Sequence, residues 1–334
     1  MLITLNKVAE YHPELLVELK LDFLQFLLRK AANSMKPWLE EKFVEEIDFT
    51  FNKKAKSCPG LYQIFKGKKN FRLSVLRRLV CFCSLSWDLV EENLVSLKSG
   101  PRGSKVSPHF PITVDKRLGS IVGHVLGDGS IDSRYSQIFF TNSNPELIRE
   151  FYYCMKEVFN VEPRIWTQVS GNFKTKSKWI KRLASIYDLP SNVQIGLFYP
   201  TVVAKILYSE FGIFAVGHKK FVPTVSSEEF NSAMLRAFYD DEGNVNTSSQ
   251  SLRVYQDNAK ILEDMRSLLF VFGITSSPVH YYLKREKKRG YFSIHRLKNF
   301  KLFRDKIGFS STSKLKDFDK LISSINPHHH NVKP

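Results

Sequence analysis

Ile121-Val-Gly-His-Val-Leu-Gly-Asp128-Gly129 and Leu235-Arg-Ala-Phe-Tyr-Asp-Asp-Glu242-Gly243 decide the reading of this chain, because the second repeats the design of the first with its acid 114 residues later. Each has helical periodicity, delivers a carboxylate in its last turn, and closes on a glycine able to take the left-handed C-cap conformation. The sequence downstream of each segment repeats too. After Gly129 a hairpin-like stretch ends in Ile138-Phe-Phe-Thr-Asn142, before an amphipathic helix over about 145–159. After Gly243 comes Leu252-Arg-Val-Tyr-Gln256, then a helix over about 259–272. Strand candidates at 164–168 and 192–199 in one half, and at 279–284 and 291–295 in the other, complete two α/β units, each ending in a helix. Gly119, Gly123 and Gly127 lie four apart on one face, and the same offset lands on Ala233, Ala237 and Asp241. Small residues at this spacing let backbones approach closer than the ordinary ~8–10 Å. The two helix ends are therefore expected to adjoin.

Adjoining acids at two helix C-termini, where the dipoles are also negative, are electrostatically poor without a cation. Carboxylates, backbone carbonyls and water are hard oxygen ligands, so Mg²⁺ is the expected ion, with Mn²⁺ or Ca²⁺ able to substitute. No Cys/His cluster has zinc spacing, and Asp128-Gly-Ser-Ile-Asp132 lacks the later ligands of a calcium loop. Taken alone, each acidic segment reads equally well as a solvated helix cap; the shared register is what raises them above that.

The chain has 334 residues, 43% hydrophobic and 25% charged, so two or three domains with real cores are expected. Fifty basic against 33 acidic residues give a net charge of +17, which favours a polyanionic partner. Residues 1–60 are balanced at nine and nine; the excess begins near Lys66, where Lys66, Lys68, Lys69, Arg72, Arg77 and Arg78 crowd around Gly67. Helices are expected over 13–32, 37–47, 61–66, 73–80 and 89–97, giving a small all-α domain, with a helix-turn-helix and a merely basic surface as competing readings. Turn residues mark a linker at 99–113. Cys58, Cys81, Cys83 and Cys154 form no C-x-x-C pair, and neither a signal peptide nor a membrane span of ~18 residues is visible, pointing to a reducing intracellular setting. His328–His330 and Asn331 invite a protein-splicing reading, but Val332 follows and the chain opens on Met1, so a tag or tail is expected at 327–334.

The paired motifs resemble the LAGLIDADG homing endonucleases in their single-chain, two-motif form, over about 115–322. The resemblance implies an α+β fold: two pseudo-symmetric αββαββα repeats, at 114–225 and 226–326, forming a DNA-binding saddle, preceded by the helical domain at 1–98. It implies a monomeric, divalent-metal-dependent endonuclease cutting double-stranded DNA at a long asymmetric site, in the cytoplasm near the nucleoid or in an organelle. By position Asp128 and Glu242 take the metal-binding acidic roles, with Gly127 and Asp241 beside them as further ligand candidates. Asn142 and Gln256 match the polar residue ending each second strand. Lys219 or Lys220, and Lys314, match the basic residue near the end of each half. Asp241 stands where a small residue is usual and Ala237 replaces a glycine, while 171–189 looks like an insertion. Two other readings stay open: a non-cleaving DNA-binding regulator on this fold, and an RNA splicing cofactor.

Alternation places His280, Tyr282 and Lys284 on one strand face, and Tyr291, Ser293 and His295 on another, with Phe292 and Ile294 inward. Arg285, Lys287, Lys288 and Arg289 form a basic hairpin between them. Arg164, Trp166 and Gln168, then Lys174 and Lys176, make the first-half counterpart, with Arg134 and Arg253 added as DNA contacts. Such faces suit base reading while the cations hold phosphates. Phe151, Phe159, Phe270 and Phe272 are assigned to the core.

Overall fold

The computed structural model describes residues 1–132, 137–169, 193–212, 215–216, 219–284 and 287–325. Two compact units emerge: one holds 1–113, 158–161 and 200–210, the other 114–157, 162–199 and 211–334. No helix among the described residues is long and apolar enough to cross a membrane.

The first unit mixes helices with strands, which corrects the all-α expectation. Leu15, Val17 and Leu19 are buried and the residues between them are not, a period of two that makes Leu16–Leu19 a strand; the helix starts only at Leu21 and runs to Ala32. That strand is central in an antiparallel sheet between Phe71–Arg72 and Leu94–Lys98. The helical run expected over 89–97 likewise splits into a helix Trp87–Glu92 and the last of these strands. Residues 37–47 break into a 3-10 turn Pro37–Leu39 and a helix Glu41–Glu46. Helices Pro59–Phe65 and Leu73–Cys83 flank the Gly67 turn, whose φ of 69° needs a glycine. Residues 106–113 are built in: Val106 is fully buried and bridges Leu97, and Ile112–Thr113 pairs with Leu2–Ile3. The helix Thr201–Phe211 contributes most of its length to this unit. Its Val202, Val203, Ala204, Ile206 and Leu207 are fully buried, Glu210 pairs with Lys7 at 2.9 Å, and Lys205 pairs with Glu14.

In the second unit the two motif segments form the helices Lys116–Leu126 and Glu228–Glu242. Asp115 caps the first by accepting from Arg117 and Leu118, and Ser227 caps the second by accepting from Phe230. The helices touch backbone to backbone. A methyl on Gly119 would lie 2.2 Å from the Phe230 carbonyl oxygen, and one on Gly123 would lie 2.3 Å from that of Met234. The glycines ending the motifs are not left-handed caps, however. Gly243 is extended at φ −79° and ψ 145°, and both Gly129 and Gly243 open strands. What they need is room: a Cβ on Gly243 would meet the Tyr239 carbonyl oxygen at 2.4 Å.

Each motif helix hands its chain directly to a sheet. The first sheet runs, in spatial order, Lys219–Lys220, Ala215–Val216, Gly129–Ile131, Gln137–Asn142, Val193–Pro200 and Arg164–Val169; only the Ala215–Val216 pairing with Gly129–Ile131 is parallel among the pairs described. The second runs Gly243–Asn246, Ser251–Gln256, Lys287–Ile294 and His280–Lys284, all antiparallel. Leu252, Val254, Phe292 and Ile294 are fully buried on its inner face, and the helix Ala259–Val271 supplies Ile261, Leu262, Met265 and Leu269 to the same core. Phe270 and Phe272 depart from the expected aromatic core: Phe270 falls one residue past Leu269, on the outer face, and is 72% exposed, and Phe272 is half-buried. Phe151 and Phe159 are fully buried. Helices Leu297–Lys306 and Thr312–Ser324 close this half over Phe300, Phe303 and Phe318. The unit is thus a mixed α+β body built twice around one helix pair.

Candidate functional site

The site grows from the C-terminal ends of the two motif helices. At the first, Asp128 is exposed, and Asn142, the last residue of Gln137–Asn142, donates its amide to Asp128 Oδ2 at 2.8 Å. At the second, Gln256, the last residue of Ser251–Gln256, donates its amide to Glu242 Oε1 at 2.9 Å. In both halves the amide lies 14 residues after its acid. The sequence-assigned quartet is therefore brought together as two carboxylate–amide pairs.

Behind these pairs the halves differ. Asp241, counted by sequence among candidate metal ligands, has its side chain fully buried, with both oxygens committed to protein donors. Its Oδ2 faces His124 Nδ1 at 3.0 Å and the Asp128 backbone N–H at 3.4 Å, while Oδ1 accepts from Asn142 at 3.1 Å. With no solvent exposure and both oxygens accepting from protein groups, Asp241 acts in this structure as a support for its neighbours. His124 is fully buried against the rings of Phe140 and Phe151. Burial opposes its charge, but Asp241 more than compensates and the imidazole pKa rises to about 9. That direction favours a charged pair across the helix interface.

Lys314 supports the other end. Its Nζ donates to the carbonyls of Tyr239 at 3.1 Å, Asp240 at 2.5 Å and Gly243 at 2.7 Å, tying off the last turn of the second motif helix. Burial pushes its pKa down, against the pull of Asp240, Asp241, Asp128 and Glu242. The sequence match that made Lys314 a catalytic candidate thus finds it directly behind Glu242, with its three donors turned toward the backbone. Asp240 is buried and accepts from the Ser310 and Ser311 backbone N–H groups at 2.8 and 3.1 Å; burial raises its pKa to about 6.

Sequence reasoning missed His124, although a signal was present. A histidine amid apolar residues on the glycine face of a buried helix needs a polar partner, and the offset that maps Gly127 onto Asp241 supplies one. It also missed Phe139 and Phe198, whose rings stack at 4.6 Å in the first sheet with the Arg164 guanidinium 5.2 Å over Phe198. The second sheet carries a related cluster. Tyr291 stands at its centre, with Tyr255, His280 and Tyr282 at 5.7, 5.3 and 6.0 Å and the Arg253 guanidinium at 5.8 Å. Arg289 pairs with Asp257 at 2.7 Å, and His295 is exposed. Ser293 does not join this face as expected: it is 3% exposed, because the Ser276–Ser277 segment bonds along that end of the strand. The side chains of Trp166, Gln168, Lys219, Lys220, Lys284, Lys287 and Lys288 lie outside the described residues, as do Arg134, Lys174, Lys176, Arg285, the 171–189 insertion and the 327–334 tail.

The second helix, its sheet and the helix after it coincide with a known family. Residues 229–308 match the model described as a LAGLIDADG-like domain. That stretch of the chain is similar to a LAGLIDADG-like domain. Among curated proteins it is similar to a glutamine--fructose-6-phosphate aminotransferase of Methanocaldococcus jannaschii, 23% identical over 65% of this chain and 18% of that protein. A replication factor C small subunit of Thermococcus kodakarensis is 25% identical over 65% of this chain and 22% of that protein. The chain thus spans about a fifth of these relatives. Among solved structures it is similar to full-length DUF199/WhiA from Thermatoga maritima, at TM-score 0.41 and 14% identity over 63% of this chain and 61% of that one. It is also similar to the homing endonuclease I-DmoI in complex with DNA and Mn, at TM-score 0.37 and 14% identity over 58% and 97%. The stretch that matches this model contains Glu242 and Gln256, and Asp128 and Asn142 lie 114 residues before them, outside it.

A divalent cation fits these residues as a shared guest rather than a caged one. Among the described residues no group of three or more His, Cys, Asp or Glu could hold a metal by itself. Mg²⁺ is commonly held by one or two carboxylates, with water and substrate phosphates completing the shell. Asp128 and Glu242 at adjoining helix ends are donors of that kind.

Proposed function

We propose that this chain is a divalent-metal-dependent, site-specific endonuclease that hydrolyses both strands of duplex DNA at a long asymmetric target. The observation that carries the reading is the pair of carboxylate–amide couples, Asp128 with Asn142 and Glu242 with Gln256, at the ends of two helices in backbone contact. Asp128 and Glu242, with the Gly127 carbonyl, would hold Mg²⁺, for which Mn²⁺ or Ca²⁺ could stand in. Bound there, the cation supplies charge neutralisation at the phosphate and a more acidic water. The protein's own part is placement. Asn142 and Gln256 fix the carboxylate rotamers, their own amide oxygens held in turn by the Asn144 and Asp257 backbone N–H groups, while Lys314, and Lys220 by its place in the sequence, would add positive charge. The Tyr291 and Phe198 clusters, each with a guanidinium over a ring, offer stacking and phosphate contact to DNA. The first unit, with its basic run from Lys66 to Arg78, extends the contact.

The test is selection of cleaved sites from a randomised duplex library, with Mg²⁺ and with chelator, using the chain and its Asp128→Asn variant. Cuts at one long sequence that need both Mg²⁺ and Asp128 support the reading. Retention of one duplex without scission moves it to a DNA-binding regulator, and preference for structured RNA at matched salt moves it to a splicing cofactor.

A further inference from the structure

We propose that His124 and Asp241 form a positioning pair for the Asp128 end alone, so that scission of one DNA strand depends on them and scission of the other does not. The inference rests on the nuclease reading and adds an asymmetry to it. Asp241 belongs to the second motif helix, yet its carboxylate serves the first site. Asn142 uses one amide nitrogen for two acceptors, Asp128 Oδ2 at 2.8 Å and Asp241 Oδ1 at 3.1 Å, so Asp241 fixes the rotamer through which Asn142 holds Asp128. The Asp128 backbone N–H points at the other oxygen of the same carboxylate, at 3.4 Å. His124 holds that oxygen at 3.0 Å from a slot with no solvent exposure, where water cannot replace it.

The arrangement occurs once by construction. The 114-residue offset sets Phe238 in the place of His124 and Gly127 in the place of Asp241. Gly127 has no side chain with which to reach Gln256 or Glu242. It also admits the partner it faces: a methyl there would lie 2.6 Å from Asp241 Oδ2. The motif helices are thus complementary at this level, with a glycine on one side and a carboxylate on the other, and the first end gains its support from across the interface.

The experiment uses the full chain and a duplex bearing its selected target, labelled separately on each strand, with Mg²⁺. Asp241→Asn, and the double variant His124→Phe with Asp241→Ala that copies the apolar character of the other half and leaves no charge unpaired, are compared with the parent. The expected result is slowing of one strand by about 10–100-fold, the cost typical of removing an outer support, with the other within about threefold and nicked product accumulating. Equal slowing of both strands, or of neither, overturns the proposal. A second readout needs no metal and no DNA. With selective ¹⁵N labelling, the Asn142 side-chain amide resonances should move in both variants while those of Gln256 stay; movement of both or neither overturns the proposal. If the parent cuts no duplex at all, the nuclease reading fails while this second readout still decides whether Asp241 positions Asn142.

Discussion

The Asp128 and Glu242 ends present the same face to solvent and are built differently behind it. At Asp128 the support is an ion pair, His124 with Asp241, inserted between the two helices. At Glu242 it is a single ammonium, Lys314, set on the Tyr239 and Asp240 carbonyls of the helix that carries the acid and on that of Gly243 just beyond it. Duplicated chains keep symmetry where a shared chemistry requires it, here the acid and its amide 14 residues on, and lose it where only packing is at stake. A helix interface tight enough to exclude side chains at Gly119 and Gly123, where Ala237 offers only a methyl, widens opposite Gly127 enough to hold a carboxylate. That space can be filled from only one side.

The largest expected effect falls on what the ends share. Asp128→Asn and Glu242→Gln should each reduce cleavage by more than the roughly 10–100-fold typical of an outer support, while duplex affinity stays within a few fold, as measured by gel cleavage and filter binding on one target. Parallel loss of affinity would mean that the acids grip DNA rather than serve a cation. Next comes the buried pair. His124→Leu strands a fully buried carboxylate, a change that typically costs about 3–5 kcal/mol, and should lower the unfolding midpoint of the second unit in urea far more than Phe238→Leu does. At the opposite end Lys314→Met leaves helix carbonyls without their donor, at about 1–3 kcal/mol for a buried unsatisfied group. Its kinetic penalty should track the strand that depends on Glu242. A Lys314→Met chain in which both strands slow equally would erase the distinction between the ends.

The periodicity of the motif stretches carries the helix pair and the strand-then-helix order after each motif, because glycine spacing and alternation act locally and leave their period in the sequence; Asn142 and Gln256 are assigned through the family resemblance instead. Leu16–Leu19 was harder: a run of leucines satisfies a helical and a strand period together, and only tertiary pairing with Phe71–Arg72 and Leu94–Lys98 decides between them. The helix Thr201–Phe211 read as the end of the first repeat, yet Glu210 and Lys205 find their charges on Lys7 and Glu14, about two hundred residues earlier, at a range no local pattern encodes. The His124–Asp241 pair spans 117 residues too, and only the repeat offset, not any local pattern, brings its two members to one level of the helix pair. Lys314 was found by its place in the chain and assigned chemistry there; which way its ammonium points is a property of the folded helix end alone.

The smallest effect is a pH dependence that separates two buried groups at this interface. His124 has a folded pKa of about 9 against an ordinary 6.5, so its contribution to stability is full below about 6.5 and fades as pH rises through about 9. Asp240 has a folded pKa of about 6 against an ordinary 3.8, so the folded state favours its protonated form, and that preference is lost as pH rises through about 6. Stability of the metal-free chain should therefore decline in two windows, one complete near neutrality and one opening above it. Thermal unfolding measured from about pH 5 to about pH 10 reads both. In the His124→Phe, Asp241→Ala chain the alkaline window should vanish while the acidic one persists, since the burial that raises the Asp240 pKa remains and the opposing charge of His124 is gone. An alkaline decline that survives the double variant would assign it to lysines and tyrosines elsewhere, and the ion pair would then lose its claim to distinguish the Asp128 end from the Glu242 end.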